Sequence, residues 1–256
     1  MMKMSVMYNL RKGYAAMLSL SFLLLMSLSL SSCDKRNIHQ VVKEMAEAPV
    51  DTVGFVSRSL HTNPFSTVDI DCFADVTYFQ TPAGGDHLVV MKALPKVIGN
   101  LEVLVEDGDL VVGVDRRYRM PDKAVAVIEI YAPFVNRFVL DGGKCLRLGK
   151  MSLTSPLELS LHGNVGAFTA DSLAVHELSL SLNGSGSFDM KNIETGNLRV
   201  KTDGNGYVKL AGKCRSAVFF MKDRGMINAT GLKSDSCIMQ NIEGRGVIQT
   251  INPSKK

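Results

Sequence analysis

Residues 181–190 read SLNGSGSFDM: an alternating apolar strand, an Asn, and a Gly-Ser-Gly corner that leads into a second short run. A glycine pair behind a strand fits either a phosphate-cradling loop or a tight backbone corner, and recurrence separates the two. Written in lines of twenty, the chain gives ELSLSLNGSGSFDMKNIETG from 177, NLRVKTDGNGYVKLAGKCRS from 197, AVFFMKDRGMINATGLKSDS from 217 and CIMQNIEGRGVIQTI from 237. LELSLHGNVGAFTADSLAVH fits from 157, and RFVLDGGKCLRLGKMSLTSP from 137 fits after a shift of two. The corner is therefore one copy of a repeat.

The columns give the repeat physical content. Leu178, Leu198, Val218 and Ile238 share one column, and Leu180, Val200, Phe220 and Gln240 share the next but one. At the corner Gly184, Gly204 and Gly244 precede an aligned set of Gly166, Gly186, Gly206 and Gly246, and Phe168, Phe188, Val208, Asn228 and Ile248 follow two residues later. A short alternating strand, a glycine corner and a second alternating strand describe one coil of a solenoid. One coil cannot bury its own inner face, but stacked coils place like side chains in register. The rise per coil is then the strand spacing of about 4.8 Å. No proline interrupts residues 157–251, as continuous ladders require.

Upstream, STVDIDCFADVTYFQ, HLVVMKAL, LEVLVEDGDLVVGV and AVAVIEIYAP are β-branched and separated by the turn clusters TPAGGD, EDGD and RRYRMPDK. The expected fold is all-β, a parallel β-helix-like solenoid with coils of about twenty residues over 137–256, preceded by a second β-rich section over 65–136. A β-sandwich or barrel also spaces its turns regularly, but it does not explain a glycine pair that returns at twenty.

The first 32 residues read as an export leader. Lys3, Arg11 and Lys12 precede an uncharged apolar run that ends in Leu30-Ser31-Ser32-Cys33, the pattern of a bacterial lipobox, in which Cys33 becomes the acylated N-terminus. Several acyl chains together anchor stably. Residues 33–64 are then anchor and tether, with a short helical face of Ile38, Val41, Val42 and Met45 before Pro49, Gly54 and Pro64. A retained membrane helix is the alternative for the apolar run. Of the 29 Lys and Arg three lie in the leader, against 25 Asp and Glu that all lie beyond it. The remainder is close to neutral and carries no footprint for nucleic acid. Cys72, Cys145, Cys214 and Cys237 have no CxxC spacing; disulfides and buried thiols both remain open.

With these features in hand, the chain resembles the putative auto-transporter adhesin, head GIN domain family. SRSLHTNPFSTVDIDCFADVTYFQ resembles its opening Phe and alternating strand, NLEVLVEDGDLVVGV its acidic-Gly turn, and VIEIYAPFVNRFVLDGG its step into the repeats, with Phe134 and Val135 where Leu is common. The glycine pairs at 184/186, 204/206 and 244/246 resemble its Gly-x-Gly turns. The resemblance spans about residues 55–251. It implies a β-helix-like solenoid whose section before 137 packs onto or continues the repeats, and it implies no catalytic residues.

Site chemistry read from the residues is sparse. GSGSFD and GNGYVK lack the third glycine and helix start of a dinucleotide loop, and GKCLRLGKMS has five residues where a phosphate loop has four, with Met151 where Ser or Thr would hold magnesium. No cofactor is expected. Asn183, Asp203, Asp223 and Glu243 form one column, either a solvated turn ladder or a weak candidate for calcium. Asp189, Lys191, Glu194 and Lys209 are a candidate set for carbohydrate chemistry, while His162 and His176 stand alone. The chain has no Trp, and only Tyr78, Tyr118, Tyr131 and Tyr207 follow the leader. The expectation is a non-enzymatic, lipid-anchored protein of the cell envelope, at the outer membrane, that binds a protein or glycan partner. The alternatives are a carbohydrate-active or carbohydrate-binding β-helix and a periplasmic structural lipoprotein.

Overall fold

The computed structural model describes residues 48–251 except 122, 123, 170 and 237, and no side chains at 238 and 239. Cys33, the leader, most of the tether and Cys237 lie outside the described residues. One compact unit, Ile38–Lys256, holds every core residue.

The N-terminal section contains β1 (Val56–His61), β2 (Thr67–Asp71), β3 (Ala74–Gln80), β4 (Leu88–Ala93), the single-turn helix α1 (Pro95–Ile98), β5 (Leu101–Glu106), β6 (Asp109–Val114) and β7 (Ala126–Ala132). Short strands follow: β8 (Arg137–Asp141), β9 (Cys145–Leu148), β10 (Met151–Leu153), β11 (Leu157–Gly163) and β12 (Gly166–Thr169). Then come the long, bent strands β13 (Leu173–Gly184), β14 (Ser187–Gly204) and β15 (Tyr207–Asp223), and last β16 (Met226–Ser234), β17 (Ile238–Gly244) and β18 (Val247–Thr250).

These strands stack into three ladders, and the chain is an all-β solenoid. The first ladder runs β6, β2, β8, β11, the later parts of β13, β14 and β15, then β17. The second runs β7, β3, β9, β12, the first parts of β14, β15 and β16, then β18. The third starts at β10 and continues through β13, β14, β15 and β16. Among the described residues all of these pairings are parallel. β5 on β6, β4 on β7 and β1 on β4 are antiparallel and close the N-terminal end. The section before 137 continues the repeats, but out of order: β2 lies between β6 and β8, and β3 between β7 and β9.

Inward columns form one continuous core. Val68, Phe138, Leu159, Leu180, Val200 and Phe219 succeed one another up the first ladder, and Val76, Leu146, Ala167, Phe188, Val208 and Ile227 up the second, all buried. Burying each Val, Leu, Ile or Phe stabilises by about 1.5–3 kcal/mol relative to exposure. Tyr78 keeps its ring in this core edge-on to Phe138 and donates its hydroxyl to the Ala132 carbonyl at 2.9 Å.

Two phases differ from the expected columns. Ala217 and Phe219 occupy the inward positions assigned above to Val218 and Phe220, because the register slips between Met190 and Ile193, where Asn192 takes φ 53°. The coil after this bulge is one residue short, and a one-residue slip exchanges inside for outside. In the second ladder Ala167 and Ile227 point inward, and their neighbours Phe168 and Asn228 do not share the Phe188 column. Coils at β11 and β12 are one residue longer than twenty, so Gly166 pairs with Ser187. Val165 stands where Gly186, Gly206, Gly225 and Gly246 stand in later coils: Ser187 N–H donates to Val165, Tyr207 to Gly186, Met226 to Gly206 and Val247 to Gly225.

The glycine corner is enforced twice. Gly184, Gly204 and Gly244 have φ of 121°, 111° and 128°, and a Cβ on Gly204 would lie 2.7 Å from the Gly184 carbonyl oxygen. Asp223 takes the same place in its coil at φ 70°. Gly204→Ala is therefore expected to lower unfolding free energy by about 1–3 kcal/mol in urea titrations. Asp223→Gly is expected to raise it by up to about 1 kcal/mol, since glycine removes the left-handed penalty at that corner.

Candidate binding surface

On a solvent-facing ladder side, alternate residues form a lattice with about 4.8 Å between strands and about 6.7 Å along them. Toward the C-terminal end of the first ladder this lattice places Arg199 beside Val218, Lys201 beside Phe220 and Phe220 beside Asn241, and Asp203 beside Lys222 and Lys222 beside Glu243. The patch forms an open groove with a cavity volume of about 500 Å³. Phe220 is 41% exposed at its centre. The Lys222 ammonium lies 3.6 Å from the Asp203 carboxylate. Among the described residues Arg199, Lys201 and Glu243 have no ion-pair partner. A second cavity, of about 420 Å³, lies near the N-terminal end and is lined by Pro49, Val53, Leu94, Val97 and Lys144.

The acidic column takes a different composition from the one expected. His162, Asn183, Asp203, Lys222 and Glu243 are the in-register residues. Asp223 leaves the column for the glycine corner, displaced by the same bulge that exchanged Phe219 and Phe220. Lys222 puts a cation between Asp203 and Glu243, which removes the carboxylate pair a calcium ion would need. Among the described residues no three His, Cys, Asp or Glu converge as metal ligands. The candidate carbohydrate set also divides: Asp189 pairs in register with Lys209 on the second ladder, whereas Glu194 pairs with Lys213 on the third.

The densest polar cluster is one that sequence spacing did not reveal. Register Asp75↔Cys145 joins residues seventy apart. The Asp75 carboxylate, 5% exposed, accepts from the Arg147 guanidinium, from Lys144 at 3.3 Å and from the Cys145 thiol at 3.3 Å. The Lys144 ammonium also donates to the Ala48 carbonyl, which ties the start of the described chain to the second ladder. Burial, reinforced by the Asp75 charge, pushes the Cys145 thiol up to about 12, and burial does the same to Cys72. Cys72, Cys145 and Cys214 are free buried thiols. A thiol in that range is no nucleophile near neutral pH, and a carboxylate held by two cations is poorly placed as a base.

At the opposite end of the first ladder the outer side is acidic. Asp69 is raised above the usual carboxylate range by burial and by the charges of Asp71, Asp141 and Asp109, against a lowering from Arg137. A raised acid holds its proton to higher pH in the native state than in the unfolded one. Its contribution is thus most favourable below the ordinary aspartate value of 3.8 and is lost as pH rises through the folded value. Asp69→Asn is expected to raise the thermal midpoint at pH 7, with the advantage vanishing near pH 3, as calorimetry at the two pH values would read.

Comparison with known proteins accords with this architecture. The family profile described as putative auto-transporter adhesin, head GIN domain, matches residues 64–256. No curated protein matches the chain. A solved putative adhesin from Parabacteroides merdae is 14% identical, with a TM-score of 0.65 over 77% of this chain and 96% of its own. A solved putative lipid binding protein from Parabacteroides distasonis is 16% identical, with a TM-score of 0.66 over 78% and 97%. A putative adhesin from Bacteroides fragilis is 17% identical, with a TM-score of 0.54 over 77% and 97%. At these identities the structures share the fold with this chain, and it is the profile match across the whole solenoid that makes the chain a member of the putative auto-transporter adhesin, head GIN domain family.

Proposed function

We propose that this chain is a non-enzymatic cell-envelope protein, anchored by lipid at Cys33, whose solenoid presents the outer side of its first ladder to a protein or glycan partner. The observation that carries this reading is the lattice itself. Parallel ladders hold side chains at fixed spacing over many coils, which suits recognition of an extended partner better than chemistry at a point. The adhesin description of the family supports the same role, and the Asp75 cluster, buried and neutralised, supplies no nucleophile against it. Among the described residues no helix is long and apolar enough to cross a membrane, so the membrane attachment in this reading rests on the lipobox.

Protease treatment of intact cells tests the reading. Loss of the chain from protease-treated, unpermeabilised cells is the expected outcome, together with release of a Cys33→Ser variant from the membrane fraction. Protection until the outer membrane is opened would instead establish the periplasmic structural alternative.

A further inference from the structure

Phe220 stands in a column whose outward members in the coils nearest it are polar, with Val139 and Val111 only toward the N-terminal end. Ser160, Ser181, Lys201 and Asn241 occupy its place in neighbouring coils. Among the described residues it is the one Phe, Tyr or Trp ring on the outer side of the first ladder, and it lines the larger groove. Around it the lattice offers three kinds of polar partner at once. Arg199 and Lys201 are cations without an ion-pair partner among the described residues, two residues apart on one strand. Asn241, directly across from Phe220, both donates and accepts. Glu243 and Asp203 are carboxylates that accept only: Asp203 already shares the Lys222 ammonium, while Glu243 has no cation partner among the described residues and is answered by a ligand with hydroxyl or N–H donors.

This mixture narrows the ligand class. A plain polyanion satisfies the cations but meets Glu243 with repulsion and competes with Asp203 for Lys222. A neutral sugar satisfies the carboxylates and Asn241 but leaves Arg199 and Lys201 unanswered. From this we infer that the groove binds a carboxylated glycan: the apolar face of one sugar ring lies on Phe220, its carboxylate on Arg199 and Lys201, and its hydroxyls donate to Glu243 and Asp203. The guanidinium fork of Arg199 matches a carboxylate in two-point geometry, and Lys201 adds a second charge one lattice step away. Because the lattice repeats along the ladder, neighbouring sugars of a chain would continue over Ser181 and Asn183, small polar residues that leave the path open.

The inference rests on the surface-presentation reading above and names its ligand. It is tested with the chain 34–256, which retains the whole compact unit, by calorimetric titration with hexameric oligogalacturonate and, separately, with maltohexaose. Saturable binding of the acidic oligomer is expected, with the neutral one at least about tenfold weaker. Phe220→Ala and Lys201→Ala should each weaken acidic-oligomer binding by about fivefold or more, with unchanged melting curves. Val111→Ala, at the far end of the same ladder side, should leave binding unaltered. Equal binding of both oligomers, binding that survives both groove substitutions, or no binding of oligogalacturonate at millimolar concentration overturns the inference. None of these results bears on protease accessibility of the chain at the cell surface, so the two readings fail separately.

Discussion

Backbone packed directly on backbone at the corner between the first and second ladders is the contact on which the solenoid depends. Coils rise by one strand spacing, and at the corner the chain of one coil meets the carbonyls of the coil below with no side chain between them. A Cβ on Gly184 would come within 2.7 Å of the Gly163 carbonyl oxygen, and one on Gly244 within 2.6 Å of the Asp223 carbonyl oxygen. Positive φ and missing volume are thus demanded at the same residue, and only glycine meets both without strain. Everything above the corner, including the in-register core columns, inherits its alignment from this approach.

The repeat was legible in the sequence because that demand returns at Gly184, Gly204 and Gly244, with Asp223 the exception among them. Its phase was not, because single-residue bulges leave no mark in composition. Asn192 has the left-handed tolerance of an Asx residue, yet nothing before the fold distinguishes it from other Asn residues in the repeats. Its insertion moves Phe219 into the core and Phe220 into solvent, and carries Asp223 from the polar column to the corner. Two adjacent Phe residues hid the slip, since either one completes an apolar column. The groove around Phe220 is therefore a product of the bulge, and it was beyond the reach of a strict twenty-residue alignment.

The Asp75 cluster was illegible for a different reason. Asp75 and Cys145 meet only because β3 is inserted between β7 and β9, a stacking order that no local pattern records. Its composition of acid, amine, guanidinium and thiol looks reactive as a list. Its geometry neutralises the acid and desolvates the thiol, and the group ties β3, β9 and the start of the chain together. Burial of such a set favours a single arrangement more than it adds stability, since desolvation offsets much of the ionic attraction.

That inserted order also separates the two halves of the molecule in time. Between β13 and β18 each coil contacts partners about twenty residues away, so folding can spread from coil to neighbouring coil with little loop entropy to overcome. β2 and β3 must wait for partners forty to seventy residues downstream, Asp109 and Arg137 for Thr67, Ala126 for Ala74. The earliest strands of the level are the last to be enclosed. The chain thus joins a C-terminal array of near-local contacts to an N-terminal end closed by non-local ones, which contact-order reasoning makes the slower part to form.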